Sequence, residues 1–265
     1  MTLTACGVLL GLAASRALAD PPAGSPAAAE AKSGSAEAEA KTPRRVWGAN
    51  RNGVRFGFDD QAEGGLPSGW KDAAEASASG KASGWKVQHD PSAPSWPLSV
   101  AFANPEGASN AINLLLTQGH QRARDFDLEV KIKATGGKLA RGGGLVWRAE
   151  NPQNYYAACW QAHEDSFQIL RYKDGQMAVL GQATLKADSS AWHTLGVKQR
   201  GEQMVASFDG RPLVETRDAT FTDDAMLGFW TRADATTSFD ELKVVGHWPP
   251  SASENQKTPK GSKKE

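Results

Sequence analysis

The residues best suited to acid–base chemistry in this sequence are the run His163–Glu164–Asp165 and a few pairs of adjacent acidic residues. These pairs are Asp59–Asp60, Glu164–Asp165, Asp223–Asp224 and Asp240–Glu241. Adjacent side chains on a strand point to opposite faces, so no pair makes a two-carboxylate centre by itself, although carboxylates from different strands could converge. The run at 163–165 is better interpreted as the polar end of a hairpin than as a proton-transfer cluster. Glu164 is the sequence's one candidate for a catalytic acid.

Other chemistry-bearing patterns are missing from the sequence. It contains no His-Glu-x-x-His, no Cys-x-x-Cys, no Gly-x-Ser-x-Gly and no phosphate-binding glycine loop with a lysine. The run Gly142–Gly143–Gly144 predicts close packing or a bulge instead. Removal of Cys6 with a signal segment would leave Cys159 alone, which excludes an intramolecular disulfide and predicts a small buried residue.

The composition restricts the class of protein. The chain has 265 residues, and 30 Lys and Arg balance 30 Asp and Glu. Without excess positive charge the sequence argues against nucleic acid as a partner. Apart from a stretch at the N-terminus, no apolar run reaches the roughly 18 residues of a transmembrane span. Together, 27 Gly, 14 Pro and 9 Trp favour many short strands and turns.

The chain divides into four predicted segments. Residues 1–19 have the apolar core and the Ala17-Leu18-Ala19 ending of a secretory signal, which predicts export to the periplasm or the exterior. Lipid anchoring at Cys6 is less favoured, because only five residues precede it. Residues 20–45 predict a disordered linker without large apolar side chains, and residues 249–265 predict a disordered Lys-rich tail. The domain is expected at 46–248.

Alternation of apolar and polar residues dominates that domain. In Phe126 to Lys133 every second side chain is apolar, which indicates a half-buried antiparallel strand. Asp174–Gly175 and Asp209–Gly210 each predict the tight turn of a hairpin. Further strands are expected at Gly143 to Arg148, Tyr155 to Ala162, Trp192 to Lys198, Ala225 to Arg232 and Ser238 to Val245. We therefore predict an all-β jelly-roll β-sandwich of two antiparallel sheets.

Several motifs follow one another in an order seen in a known family. They are Phe58-Asp59-Asp60, Leu66-Pro67-Ser68-Gly69-Trp70, Gly84-Trp85-Lys86-Val87, Gly143 to Arg148, Asn151-Pro152 with Asn154-Tyr155-Tyr156, Trp192 to Leu195, Gly228 to Thr231 with Asp234, and Phe239 to Leu242. The sequence between about residues 54 and 245 resembles the concanavalin A-like lectin/glucanase jelly rolls of the bacterial type related to the 3-keto-disaccharide hydrolase-like domain. The resemblance implies carbohydrate as the ligand class and does not imply catalysis. The Glu-x-Asp-x-x-Glu pattern of the retaining glucanases of this superfamily is absent.

Alternation along two strands suggests a ligand face. Tyr155, Ala157, Cys159 and Gln161 share one side of their strand, while Tyr156 and Trp160 are assigned to the core on the other. Arg148, Tyr155, Gln161 and Glu164 are expected to line a sugar groove, joined by the ring of Trp230 and the guanidinium of Arg232. The alternative is an ordinary solvent-facing sheet. Relatives commonly carry Arg at the position of Cys159 and Asn at that of Gln161, so the sequence departs from the family at two expected contacts.

The sequence is best interpreted as an exported, monomeric module that recognises oligosaccharide or polysaccharide, without catalysis in isolation and with no required cofactor. A structural calcium ion is considered at Asp59, Asp60 and Asp240, because the first and last strands of sugar-binding jelly rolls are often neighbours. One alternative is a glycoside hydrolase-like enzyme that uses Glu164 with a second carboxylate. Another is a structural or protein-interaction module of the cell envelope.

Overall fold

A computed structural model of the chain describes residues 53–73, 84–103, 111–119, 124–222 and 225–247. The predicted signal, linker and tail lie outside these residues, as do Asp223 and Asp224. The described part forms fifteen strands and a short 3-10 turn at Ala162–Glu164. The strands are β1 (Gly53–Phe56), β2 (Trp70–Asp72), β3 (Trp85–His89), β4 (Leu98–Phe102), β5 (Ile112–Thr117), β6 (Asp125–Gly136), β7 (Gly142–Asn151), β8 (Asn154–Gln161), β9 (Ser166–Lys173), β10 (Gln176–Thr184), β11 (His193–Arg200), β12 (Gln203–Phe208), β13 (Arg211–Arg217), β14 (Met226–Arg232) and β15 (Thr236–His247).

The strands form two antiparallel sheets, as predicted for a jelly-roll sandwich. The eight-stranded sheet has the order β13-β12-β11-β6-β15-β4-β3, and β1 pairs with β15 beside this path. The seven-stranded sheet has the order β10-β9-β8-β7-β14-β5-β2. Strands β1 and β15 are thus neighbours, as expected for the first and last strands of the domain.

Both predicted hairpin turns are present. Asp174 and Gly175 have φ values of 52° and 76°, and Asp209 and Gly210 have 49° and 76°. Two successive positive φ values are the geometry of a type I′ turn, whose twist matches that of the flanking strands. The first turn joins β9 to β10 and the second joins β12 to β13.

The main core lies between the two sheets. On β6 the side chains of Phe126, Leu128, Val130 and Ile132 are buried in it, as the alternation predicted. Tyr156 and Trp160 of β8 face the same core, which confirms their assignment. The indole of Trp147 on β7 donates to Gln199 Oε1 at 3.0 Å, so that a large ring is buried without losing its hydrogen bond.

The seven-stranded sheet also carries a second apolar cluster, on its outer face. The cluster consists of Leu114, Leu116, Val146, Ala149, Tyr155, Ala157, Cys159, Leu170, Tyr172, Met226 and Trp230. Much of the face that was expected to be solvated is therefore buried. Tyr155, at 1% exposure, lies inside this cluster and is not on an accessible surface, contrary to its predicted place in a sugar groove.

Arg148 is also displaced from its expected position. The pairing of β7 with β8 shifts between Trp147 and Asn151, and Arg148 has a φ of 49°. A bulge of this kind breaks the alternation on which the prediction rested. The guanidinium is buried and donates to the carbonyl oxygens of Phe221 and, at 2.9 Å, of Arg124. It therefore holds chain segments together and is not presented to a ligand.

We expect Arg148→Met to lower the free energy of unfolding by about 2 kcal/mol or more, because two carbonyl acceptors lose a charged donor. Arg211→Met, at an exposed position of β13, is the matched control and should change it by less than about 0.5 kcal/mol. Urea unfolding followed by tryptophan fluorescence measures both. Equal stability of the two variants would contradict the structural role of Arg148.

Asp218 connects the end of β13 with the opposite sheet. Its carboxylate accepts hydrogen bonds from Tyr156 Oη at 2.6 Å and Arg171 Nη1 at 2.6 Å, and from the backbone N–H of Thr220 at 2.8 Å. Burial alone would raise its pKa, but these donors hold the pKa below the usual 3.8. Burial, together with the hydrogen bond to Asp218, raises the pKa of Tyr156 to about 12.

Because the pKa of Asp218 is lowered on folding, its stabilisation is present above the unfolded pKa and is lost as pH falls through the folded one. We expect Asp218→Asn to cost about 2 kcal/mol near pH 6, a deficit that shrinks toward about pH 3. Unfolding free energies measured across this range test it, with Glu202→Gln at an exposed turn as control. A deficit that stays constant with pH would argue against a stabilising charge on Asp218.

Candidate functional site

An open groove crosses the outer face of the seven-stranded sheet. Its volume is about 590 Å³, and strands β5, β8, β9, β10 and β14 contribute to it. The lining residues are Ile112, Gln161, Glu164, Gln168, Leu170, Tyr172, Met177, Val179, Trp230 and Arg232. Four of the six predicted ligand contacts, Gln161, Glu164, Trp230 and Arg232, are thus brought together, whereas Arg148 and Tyr155 are not.

The turn between β8 and β9 places Glu164 at the end of the groove. This turn is the 3-10 segment Ala162–Glu164, followed by Asp165 in the left-handed conformation. The hairpin-end interpretation of 163–165 is therefore confirmed. Glu164 Oε1 accepts from Arg232 Nη2 at 2.5 Å, and the two side chains are 43% and 29% exposed. The ion pair thus joins the turn to the last residue of β14 at the surface.

Three glutamines form a hydrogen-bonded ladder along the same end. Cys159 on β8 is paired with Gln168 on β9, and Gln168 is paired with Gln182 on β10. Gln161 Nε2 donates to Gln168 Oε1 at 3.0 Å, and Gln168 Nε2 donates to Gln182 Oε1 at 3.1 Å. Gln161 Oε1 is buried and has no partner in the described part of the protein. The ladder therefore ends at an open acceptor in the groove wall.

Trp230 forms part of the groove floor. It is paired with Gly144 of β7, which in turn is paired with Cys159 of β8. A Cβ on Gly144 would lie 2.1 Å from the carbonyl oxygen of Ala158, so this position admits no side chain. The glycine run therefore serves close packing, as predicted. At 2% exposure the indole of Trp230 is not an open platform for stacking.

Tyr172, which lines the groove, packs against Tyr155. Their rings are stacked with centroids 4.6 Å apart. Burial raises the pKa of Tyr172 to about 12, and it raises the pKa of Tyr155 further, so both hydroxyls stay protonated at neutral pH. Burial also raises the pKa of the Cys159 thiol, which is free and fully buried. The expectation of an unreactive buried cysteine agrees with this environment.

A small pit opens from one end of the groove. Its volume is about 10 Å³, close to the space of one water molecule. Gln161, Glu164, Trp230 and Arg232 line both the pit and the groove, and Ala140, Arg141, Gly142 and His163 complete the pit. The indole N–H of Trp230 makes no hydrogen bond of ordinary geometry with the described residues, although the hydroxyls of Tyr155 and Tyr172 lie near it.

The acidic residues considered for calcium are engaged in hydrogen bonds of their own. Asp240 is fully buried and accepts from Ser95 through both oxygens, at 2.7 Å each, and burial raises its pKa. Asp59 accepts from the N–H of Leu98, whereas Asp60 is exposed beside Gln61. The described residues contain no group of three or more His, Cys, Asp or Glu arranged around one ion. Asp240 fixes the loop before β4 through these bonds, and the calcium ion at Asp59, Asp60 and Asp240 stays a prediction.

Sequence reasoning did not identify Gln168, Tyr172, Met177 and Val179 as lining residues. Their positions follow from the pairing of β8, β9 and β10. Tyr172 lies between Tyr155 and Met177, and Leu170 lies between Ala157 and Val179. Continuing the alternation of β8 across the two hairpins would have placed all four on the same face. Arg141 had no such signal, because it precedes β7 and lies outside any alternating run.

Comparisons with known proteins support the fold. A scan against protein-family models finds no match, and a search of curated proteins finds none either. Among solved structures, the chain is similar to a carbohydrate-binding module, CBM66, from Bacillus subtilis, with a TM-score of 0.52 and 19% identity over 66% of this chain and 94% of that one.

It is also similar to a structure from a study of endo-acting O-glycanases that members of the human gut microbiota express to initiate mucin breakdown. That match has a TM-score of 0.53 and 12% identity over 73% of this chain and 98% of that one. Both similarities concern architecture, because the sequences are far apart. The chain therefore has the fold of a concanavalin A-like jelly roll.

Proposed function

We propose that this chain is an exported carbohydrate-binding module that holds an oligosaccharide or polysaccharide in the groove and has no catalytic activity of its own. The observation that carries the proposal is the mixture of groups around one open groove. Two buried polar atoms for which the described residues supply no partner, Gln161 Oε1 and Arg232 Nε, lie beside the ion pair of Glu164 with Arg232. Exposed Met177 and Val179 form an apolar flank on β10.

Such a groove suits the chemistry of sugars. A hydroxyl both donates and accepts, so it can donate a hydrogen bond to Gln161 Oε1 and accept one from a guanidinium N–H. The C–H faces of a pyranose are apolar and can pack on Met177 and Val179, which are 56% and 47% exposed. Recognition would thus depend on hydrogen bonds at the ladder end and on aliphatic contact along β10.

The fold is consistent with this function. One similar structure is a carbohydrate-binding module, and carbohydrate is also the ligand class that the sequence motifs imply. Export is supported by the signal-like residues 1–19, which lie outside the described part. In the residues the structure describes, none of the secondary structure is a helix of membrane-crossing length and apolarity.

The lining of the groove provides few groups that could catalyse hydrolysis. Among the described residues that line the groove or the pit, Glu164 is the single carboxylate, and it is paired with Arg232. Glycoside hydrolysis commonly needs two carboxyl groups about 5–9 Å apart. The hydrolase alternative would thus need a second carboxylate from elsewhere, and a protein-interaction module remains the other alternative.

We expect the full chain to bind at least one polysaccharide in a panel of plant, fungal and bacterial glycans, and Gln161→Ala to weaken that binding by about tenfold. The reason is the loss of the ladder's open acceptor. Trp230 in the groove floor provides a fluorescence signal, recorded with and without calcium. Gln203→Ala on the other sheet is the matched control. Equal effects of the two substitutions would place the sugar elsewhere, and the absence of any binding would favour a protein partner.

We further expect no release of reducing sugar from any bound glycan, by either the wild type or Glu164→Gln, because a lone ion-paired carboxylate lacks a catalytic partner. Time courses with a reducing-end assay measure this, with Glu202→Gln as control. Turnover by the wild type that Glu164→Gln abolishes would establish the hydrolase instead.

A further inference from the structure

We infer that the pit selects an acidic glycan, one oxygen of whose carboxylate enters it while the sugar rings lie in the groove. This inference rests on the proposed function and specifies its ligand class. It depends on the balance of hydrogen-bond donors, acceptors and charges around the pit.

Among the residues that line the pit, buried hydrogen-bond donors without a partner are more numerous than buried acceptors without a partner. Arg141 Nε and Arg232 Nε are buried N–H groups for which the described residues supply no hydrogen bond, whereas the indole N–H of Trp230 lies near the hydroxyls of Tyr155 and Tyr172. Gln161 Oε1 is the one matching acceptor. Gln161 is 93% buried, since its exposed fraction is 7%. Buried N–H groups are costly to leave unpaired, so a ligand rich in acceptor oxygens is favoured there.

The charges point in the same direction. Arg141 and Arg232 are two guanidinium groups at the pit, and Glu164 is the one carboxylate. Glu164 is paired with Arg232 through Nη2, and within the described residues Arg141 forms no ion pair. The nearby carboxylate of Asp234 accepts from the backbone N–H groups of Lys138, Leu139 and Ala140 and is occupied by that loop. One positive charge at the pit is therefore left without a counter-charge from its lining.

A carboxylate matches these groups better than a hydroxyl. It accepts several N–H bonds, and charge-assisted bonds from a guanidinium are roughly twice as strong as neutral ones. The acceptor Gln161 Oε1 is compatible with a carboxylate, because each amide of the glutamine ladder can flip. The flipped ladder keeps its hydrogen bonds and presents Gln161 Nε2, a donor, to the pit. The small pit admits a single oxygen, so the remaining atoms of a uronic acid would lie in the larger groove.

The test compares acidic polysaccharides with their own neutral forms. Polygalacturonate, alginate, xanthan and hyaluronan are each paired with the same polymer after reduction of its carboxyl groups to alcohols. We expect the full chain to bind at least one acidic form about tenfold more tightly than its reduced form, because a charge-assisted contact is lost on reduction. The preference should decline as salt is added.

Two substitutions with opposite expected effects distinguish a change in binding from a loss of folding. Arg141→Gln should reduce the ratio of acidic to reduced affinity toward one, whereas Glu164→Gln should increase it, since it releases Arg232 and removes a like charge. Arg211→Gln on the other sheet is the control and should leave the ratio unchanged. Loss of folding cannot increase an affinity ratio.

Three outcomes would contradict different parts of this inference or of the proposed function. Binding of reduced or neutral glycans without any preference for the acid, but with sensitivity to Gln161→Ala, would overturn this inference and retain the proposed function. Failure to bind any glycan would overturn both. An acid preference that Arg141→Gln leaves intact would overturn the assignment to the pit.

Discussion

The structure depends on a sheet that carries a buried apolar cluster on each of its faces. Along β8, Tyr156 and Trp160 pack into the core between the sheets, while Tyr155 and Cys159 pack into a second cluster on the outside. A sheet with apolar contacts on both sides resists bending and slippage, because any shift in register moves buried groups to the wrong face. The groove is therefore built on a floor whose position is strongly determined.

That floor explains why the polar residues of the site are arranged at its end. Where β8 finishes, the outer apolar cluster finishes too, and Gln161, the turn residue Glu164 and Arg232 of β14 follow directly. Gly144 allows β7 to lie close to β8 while leaving no side chain beside Trp230. The polar residues at the end of the groove are thus positioned by the packing of the strands that carry them.

The sequence predicts much of this fold because alternation and turn chemistry are local signals. The face of each β8 residue, the core side of β6 and both Asp-Gly turns are correct. The position of Arg148 was wrong because a bulge between Trp147 and Asn151 resets the alternation, and a bulge has little signature in a single strand. For Tyr155 the face was right, but burial depends on neighbours across the sheet, which periodicity within one strand does not reveal.

Overall neutrality and local charge are separate properties in this protein. Equal numbers of acidic and basic residues argue against nucleic acid as a partner, because its binding needs many cations over a wide surface. A pit acts over a few ångströms, and within that range Arg141 and Arg232 face one carboxylate. Screening by salt acts less on partly buried groups than on exposed ones. Discrimination among glycans can therefore depend on a single unbalanced guanidinium in a chain whose net charge is zero.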